Sequence, residues 1–486
     1  MIVRYNGGVS RQTARTAVRV LVFVVPLFSP IVHAASESRP APKPNLIFIL
    51  ADDLGYGDLS CFQSDKIETP HLDELARSGM RWTQFYAAAA VCTPTRASCL
   101  TGRYPLRFGI TKHFKDGTEH LPRGTMTLPK LLRQAGYVTA HVGKWHLGGL
   151  NKAHVANRKQ GPPGPHEHGF DHYLCMNEEH EPRGRLLKTR RLYRDGTKYL
   201  FRNDQPAPYV ERHWTDYKID ECLELIETCH RQGRPFFLNL WSDVPHTPYE
   251  PAPEPFLGPY KDRAKGDDLL YRSMVTHLDH GIGRIVAKLE QLGIAGDTLI
   301  IFTSDNGPSY QGSPGPWKGG KADLHEGGIR VPMIARWPGK IKAGSVCGEL
   351  GHTNDLLPTF CEAAGIRLPD ELKIDGMSLW PRLHEGKALS RNGIVFWQLD
   401  LYKWFAQPGE KPKPYATEIA RQGKWKLMAK EGIPVGLFDL EKDPREQNNR
   451  LNEEPQVRDA LTQALREWLS SARPKKVQST STVADH

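Results

Sequence analysis

Asn45-Leu46-Ile47-Phe48-Ile49-Leu50-Ala51-Asp52-Asp53 is an apolar run that stops on two adjacent carboxylates. A strand with no polar residue at alternate positions must be covered on both faces, which is the condition of a strand inside a parallel sheet. Further along, Thr69-Pro70 opens a helix, with Thr69 as N-cap candidate and Pro70 in the first turn. Leu72, Leu75 and Ala76 form its apolar face and Gly79 ends it. A second short helix, Thr127 to Ala135, is stopped by Gly136 and followed by a strand from Tyr137 to Val142. Ile219, Leu223 and Ile226 mark a third helix, which leads into the strand Phe236 to Trp241. A long helix from about Asp268 to Leu292 precedes the strand Thr298 to Thr303. This alternation predicts an α/β fold, a mostly parallel central sheet sandwiched by helices.

After about residue 388 the pattern changes. Ile394 to Gln398, Ala416 to Ala420 and Trp425 to Ala429 read as short antiparallel strands, and Glu454 to Leu469 as a closing helix. The expected organisation is a main domain over residues 44–388, a smaller C-terminal α+β subdomain over 389–473, and a disordered tail over 474–486. At the other end, Arg4, Arg11, Arg15 and Arg19 precede an apolar run from Val20 to Val32, broken by Pro26 and Pro30 and followed by His33-Ala34-Ala35. Residues 1–35 read as a secretory signal peptide, too short in unbroken apolar length for a membrane span. The mature protein is expected in the periplasm or outside the cell. Residues 1–34 hold four arginines and no acid, so their removal takes the net charge from +10 to +6. That surplus suits a polyanionic substrate but is also ordinary for a globular protein. No nucleic-acid-binding motif is present, and none is expected as a partner.

The chain has eight cysteines. Cys222 and Cys229 sit seven residues apart on one helix, about 10 Å along its axis, beyond the roughly 7 Å Cα separation a disulfide tolerates. Cys347 and Cys361 are the candidate pair.

Polar, reactive residues collect just after the strands: Asp52-Asp53, Lys144 and His146, His246, and Asp305-Asn306. Ligand sites of open α/β sheets lie outside the carboxyl ends of the strands, so these distant segments can converge on one rim. Asp-Asp before Gly55, or Asp-Asn before Gly307, can by itself cap a turn. Two adjacent carboxylates are costly without a compensating cation, however. Together the segments offer three carboxylates and an amide, hard oxygen donors that suit Ca²⁺ or Mg²⁺ rather than zinc.

Cys92-Thr93-Pro94-Thr95-Arg96 opens the run CTPTRASCLTGR, which ends at Arg103. This run resembles the maturation signature of the type I, formylglycine-dependent sulfatases of the alkaline phosphatase superfamily. Further matching segments follow in family order: Asp52-Asp53, Gly143-Lys144-Trp145-His146-Leu147-Gly148, Pro245-His246-Thr247-Pro248, Ser304-Asp305-Asn306-Gly307, and Gly320-Lys321 before Glu326-Gly327-Gly328. Leu437-Phe438-Asp439-Leu440, with Asp443-Pro444 and Glu446, resembles the family's C-terminal segment, so the likeness spans about residues 45–450.

The resemblance implies an alkaline phosphatase-like fold and a sulfuric ester hydrolase. It implies that Cys92 is oxidised to formylglycine by a formylglycine-generating or an anaerobic sulfatase-maturating enzyme. Asp52, Asp53, Asp305, Asn306 and residue 92 would surround one divalent cation, usually calcium, with magnesium the alternative. Arg96 would position the formylglycine, Lys144, His246 and Lys321 would bind the sulfate, and His146 and His246 would move protons, in roles that can be exchanged. Lys318 is the fallback for Lys321. Thr95 departs from the commoner serine, and Cys99 replaces a usual small or apolar residue. Arg96 is expected on a helix starting near Pro94.

Residues 150–215 form a long insertion with His166, His168, Arg183, Arg185, Lys188, Arg190, Arg191 and Arg194. Such a density of cations suits further sulfates or carboxylates on a glycan, though a solvated basic loop explains it equally. The wording of the motifs is most similar to the arylsulfatase and N-acetylgalactosamine-6-sulfatase branch, which points to a sulfated carbohydrate. The rivals are a phosphonate or phosphate ester hydrolase on the same scaffold, and a non-catalytic glycan binder if Cys92 is never converted.

Overall fold

The computed structural model describes Gly7 and residues 43–114, 119–176, 200–207, 212–400 and 415–474. The leader, the arginine-rich centre of the insertion and all of the tail except Pro474 lie outside the described residues. Within them, eleven strands build one sheet. They are β1 (Asn45–Ala51), β2 (Met80–Tyr86), β3 (Val138–Gly143), β4 (His172–Met176), β5 (Leu200–Arg202), β6 (Gln205–Pro206), β7 (Phe236–Trp241), β8 (Thr298–Ser304), β9 (Arg330–Arg336), β10 (Ser345–Cys347) and β11 (Gly351–His352). The order is β10-β2-β9-β8-β1-β7-β3-β4-β5-β6, with β11 added beside β2. The central pairs β8-β1, β1-β7, β7-β3 and β3-β4 are all parallel. Antiparallel pairing enters through β9, between β8 and β2, and through the β4-β5-β6 edge.

The apolar run of β1 explains its central place. Leu46, Phe48 and Leu50 enter one core, under helices Leu128–Gln134 and Leu356–Ala363. Ile47, Ile49 and Ala51 enter the other, under helices Pro70–Arg77, Trp214–Arg231 and Gly266–Gln291. Successive residues of a strand face opposite ways, so each face of β1 feeds its own core.

A second sheet of four antiparallel strands, β12 (Val395–Gln398), β13 (Glu418–Gln422), β14 (Trp425–Lys430) and β15 (Ile433–Asp439), lies toward the C-terminus. Helix Pro455–Ala472 packs on it through Leu461 and Leu465. The same core takes in Tyr86, Val91, Tyr104 and Ile329 from the larger sheet's segments. No helix of the described residues is long and apolar enough to cross a membrane.

Three local expectations are corrected. Thr69 precedes helix Pro70–Arg77 but makes no side-chain cap; its hydroxyl turns to Ser60 Oγ (3.2 Å) and Asp73 Oδ1 (3.3 Å). The carboxylate of Asp279, from the long helix, takes the His71 and Leu72 amides instead (3.1 and 2.7 Å). The helix of the signature begins at Cys92 rather than near Pro94, because a proline is tolerated in the first turn, where amides have no intrahelical partner. Cys347 and Cys361 do not form a disulfide, and neither does any other of the eight cysteines. Cys347 Sγ accepts Arg382 Nε (3.5 Å), while Cys361 is buried on helix Leu356–Ala363.

Candidate active site

The carboxyl ends of β8, β1, β7 and β3, four neighbours in the sheet, bring the reactive residues onto one rim. Backbone bonds hold the ends in step: the Asp305 amide donates to Ala51 O (3.1 Å), that of Asp52 to Val244 O (3.1 Å), and that of Lys144 to Trp241 O (2.8 Å). Gly307 turns the chain after Asp305-Asn306 against the Glu326–Ile329 segment. A Cβ at 307 would lie 1.9 Å from Gly327 O, so only glycine allows the contact. Cys92 sits buried at the first position of helix Cys92–Thr101, all ten residues of which are buried.

Three carboxylates and three cations then interlock. Arg96, fully buried, donates through Nε and a terminal nitrogen to Asp305 Oδ2 (3.1 and 2.7 Å) and lies 3.2 Å from Asp52 Oδ2. Its other terminal nitrogen donates to Lys144 O (3.0 Å), and its Cζ stands 5.2 Å from the centre of the Trp241 ring. Lys144 Nζ donates to Asp52 Oδ2 (2.5 Å) and stands 3.7 Å from Cys92 Sγ. Lys321 Nζ donates to Asp53 Oδ2 (2.7 Å). That oxygen also accepts Ser309 Oγ (2.8 Å) and lies 3.7 Å from His246 Nε2, while Asp53 Oδ1 accepts Asn306 Nδ2 (2.7 Å).

Burial and these charges set the protonation of the cluster. Burial works against a charged Asp52, but Lys144 foremost, with His246, Arg96 and Lys321, outweighs it and holds the group well below the usual carboxylate range. Asp53 is likewise lowered, burial being overcome chiefly by Lys321. Asp305 goes the other way: burial, then the neighbouring Asp52, push it up to about 7 against Arg96 and Lys144. The Cys92 thiol is raised, foremost by burial. Burial, aided by Lys321 and Lys144, lowers His246 to about 4, and burial with Lys144 takes His146 well below its ordinary value, so both rings are neutral at pH 7.

The donor set fits a hard divalent cation. Asp52 Oδ1 and Asn306 Oδ1 are buried acceptors with no hydrogen-bond partner. Ligand-type atoms of Asp52, Cys92 and Asp305 lie within 4.8 Å of one another, as do those of Asp52, Asp53 and His246. Three carboxylates already balance Arg96, Lys144 and Lys321, so an added dication gives the site a positive surplus that an anionic ester can satisfy. A separate group, His213, Asp216 and His277, also converges. There the Thr215 amide donates to His213 Nδ1 (3.2 Å), which leaves the ring proton on Nε2 and no lone pair for a metal.

The sulfatase family matches residues 44–366, and the C-terminal module described as N-sulphoglucosamine sulphohydrolase, C-terminal, matches 320–475. The chain belongs to the sulfatase family. It is similar to N-acetylgalactosamine-6-sulfatase of Rattus norvegicus, 35% identical over 77% of this chain and 72% of that protein. Arylsulfatase A of Bos taurus is 32% identical over 89% and 88%. A crystal structure of Ps i-CgsB in complex with k-i-k-neocarrahexaose superposes with a TM-score of 0.76 and 27% identity, covering 88% of this chain and 93% of that one. The family's fold is the mixed, mostly parallel sheet described above, and its chemistry makes this protein a sulfuric ester hydrolase.

In this sulfatase Asp52, Asp53, Cys92, Arg96, Lys144, His246, Asp305, Asn306 and Lys321 share one connected network. His146 stands beside it, at a left-handed φ of 57°, with its Nδ1 buried and unpartnered. Lys318, the fallback, is exposed, its Nζ 5.8 Å from the centre of the Tyr415 ring. His166 and His168 turn inward: His166 Nδ1 pairs with Phe170 O (2.8 Å), and His168 is buried beside Trp145 (5.7 Å between centroids). Arg183, Arg185, Lys188, Arg190, Arg191 and Arg194 lie outside the described residues. Thr95 keeps the hydroxyl a serine would bring, donating to Ala89 O (3.1 Å) and accepting the Ala89 amide (3.2 Å). Ser309 and Trp241 are site residues that no sequence signal marked.

Proposed function

We propose that this sulfatase removes sulfate from a carbohydrate of galactose or N-acetylgalactosamine type in the periplasm or outside the cell, with a formylglycine made from Cys92 as nucleophile. The observation that carries the reading is the placement of Cys92, buried at a helix N-terminus, 3.7 Å from Lys144 Nζ and within reach of Asp52 and Asp305. The relatives named for N-acetylgalactosamine 6-sulfate and the carrahexaose complex support the sugar.

Asp52, Asp53, Asp305, Asn306 and residue 92 would hold calcium, or magnesium in its place. The cation would supply Lewis-acid charge to the sulfate oxygens and lower the pKa of the formylglycine hydrate. Lys144, Lys321 and Arg96 set fixed positive charge where negative charge gathers in the transition state. Asp305 helps deprotonate the attacking hydroxyl. His246 in its protonated form would give a proton to the departing alcohol oxygen, and neutral His146 takes one from the second hydroxyl.

The test is inorganic sulfate release from a panel of defined sulfated saccharides, on protein co-expressed with a maturating enzyme. At least one galactose- or N-acetylgalactosamine-type sulfate is expected to react, and intact mass should show the peptide of residue 92 as aldehyde, lighter than the thiol. Faster turnover of an aryl phosphate diester than of an aryl sulfate would favour the phosphoester rival. A wholly unconverted thiol in active protein would overturn the nucleophile.

Metal removal gives a second expectation. Chelation should abolish sulfate release and lower Tm, and added Ca²⁺ should restore both, since a ligand at about a hundred times its Kd stabilises the folded state by ~2.7 kcal/mol. Unchanged Tm and activity after exhaustive chelation would dismiss the cation.

A further inference from the structure

The loop joining Asn306 to Lys321 carries an aromatic ring that the fold itself does not use. Tyr310 is 73% exposed, the most exposed large apolar side chain among the described residues. Its φ is 43°, in the left-handed region where a bulky side chain strains the backbone. Glycine or asparagine would close the same turn, fixed by the Gly312 amide on Ser309 O (3.1 Å), at less cost. The ring has no aromatic or cationic neighbour among the described residues.

Its position is nevertheless fixed from both sides. Ser309, immediately before it, donates to Asp53 Oδ2 (2.8 Å), and Pro308 O accepts the Lys321 amide (2.8 Å). Beyond it, the Ser313 amide donates to Asp58 Oδ1 (2.9 Å). A solvent-facing ring is thus held one residue from a group bonded to the site's own carboxylate. Because Arg96, Lys144 and Lys321 are largely buried, a sulfate they hold must leave the rest of its ester projecting toward the rim.

We propose that Tyr310 is a saccharide-stacking platform at that rim, resting on the reading of the substrate as a sulfated carbohydrate. The C–H face of a sugar ring on the leaving-group side lies on the negative face of the phenol, covering apolar area that is otherwise wet. A two-torsion aromatic side chain on a strained turn loses little freedom when the sugar arrives. Non-glycine residues held in the left-handed region cluster at ligand sites, where the strain serves binding.

The test compares Tyr310→Ala, Tyr310→Phe and Tyr310→Gly with wild type, on the saccharide that wild type desulfates best in the panel. Tyr310→Ala should lose about tenfold in kcat/KM, mostly in KM, whereas Tyr310→Phe stays within about twofold. Tyr310→Gly should lose as much while its Tm rises, which a structural role for the ring forbids. The Ki of inorganic sulfate as product inhibitor should not move, because the cradle is untouched. An unchanged KM in Tyr310→Ala, or an equal loss in sulfate Ki, would overturn the platform alone. Wild type that turns over 4-nitrophenyl sulfate but no saccharide would overturn the carbohydrate reading and the platform with it.

Discussion

Cys92→Ser releases the alcohol of a sulfate ester once per molecule and then stops, leaving a sulfated enzyme. The proposed nucleophile carries two hydroxyls on one carbon. One forms the new O–S bond as the alcohol leaves with a proton. The second then loses its proton, its oxygen lone pair closes the C=O bond, and the C–O bond to sulfate breaks. Serine at position 92 can make the first O–S bond, but its carbon bears no second hydroxyl, so the sulfate stays bonded. The surroundings favour that first step in the variant as well, because Lys144 Nζ and the helix N-terminus at residue 92 are unchanged. Steady-state turnover should fall by at least about 10⁴-fold, as when a nucleophile is removed from an acyl-transfer site. Intact mass after incubation with substrate should show a stoichiometric sulfo adduct. Sustained turnover by the serine variant would sink the hydrate mechanism, even if sulfate release by the wild type is robust.

The fold and the cluster were legible because their signals are local. A run such as Leu46 to Ala51, with no polar alternate, has no stable place except between two covered faces, and both of its faces are buried here. Residues that end consecutive parallel strands must share a rim, so Asp52, Lys144, His246 and Asp305 met without any knowledge of distances. What stayed hidden depends on partners remote in sequence. Asp279 caps a helix more than two hundred residues earlier, a pairing that Thr69-Pro70 conceals by offering a plausible local cap. β2 mixes polar and apolar positions, and β9 opens on Arg330, so neither displays a run like that of β1. His168 reads as a polar loop residue, yet the Trp145 ring and burial make it part of the core, with its pKa lowered to about 3 by burial foremost. Ser309 carries no motif at all. Its place is set by the turn that Gly307 permits.

Lys426→Met should cost the protein ~3–5 kcal/mol of stability and most of its activity, although Lys426 touches nothing in the cluster. Its fully buried Nζ lies 3.0 Å from Glu326 Oε1 and 2.8 Å from Glu446 Oε1, and the Glu326 amide donates to Glu446 Oε2 (2.7 Å). Glu326 Oε2 also accepts the Tyr86 hydroxyl (2.6 Å). Without the lysine, two buried carboxylates face each other with no cation between them. Glu326 opens the segment whose Gly327 amide donates to Lys318 O (2.7 Å) and whose backbone meets Gly307, so the strain reaches the loop of Lys321 and the turn after Asn306. The pH dependence separates this network from a simple cavity. In the wild type, burial raises Glu326, but Lys426, Arg421 and Arg330 outweigh it and hold the group at about 2. Its contribution is therefore present above its ordinary range near 4.5 and is lost as pH falls toward 2. In the variant the shared carboxylates bind protons more tightly folded than unfolded, so stability rises as pH is lowered from 7 toward 5. Wild type should show a smaller gain of the same sign, because burial already raises Glu446 against the pull of Lys426, so the variant's rise must exceed it. Adding Glu446→Gln to Lys426→Met should recover part of the loss and abolish the rise, because one carboxylate then hydrogen-bonds to a neutral amide. A Tm of the single variant that stays flat or falls between pH 7 and 5 would mean that the lysine holds the C-terminal sheet to the site by packing rather than by charge.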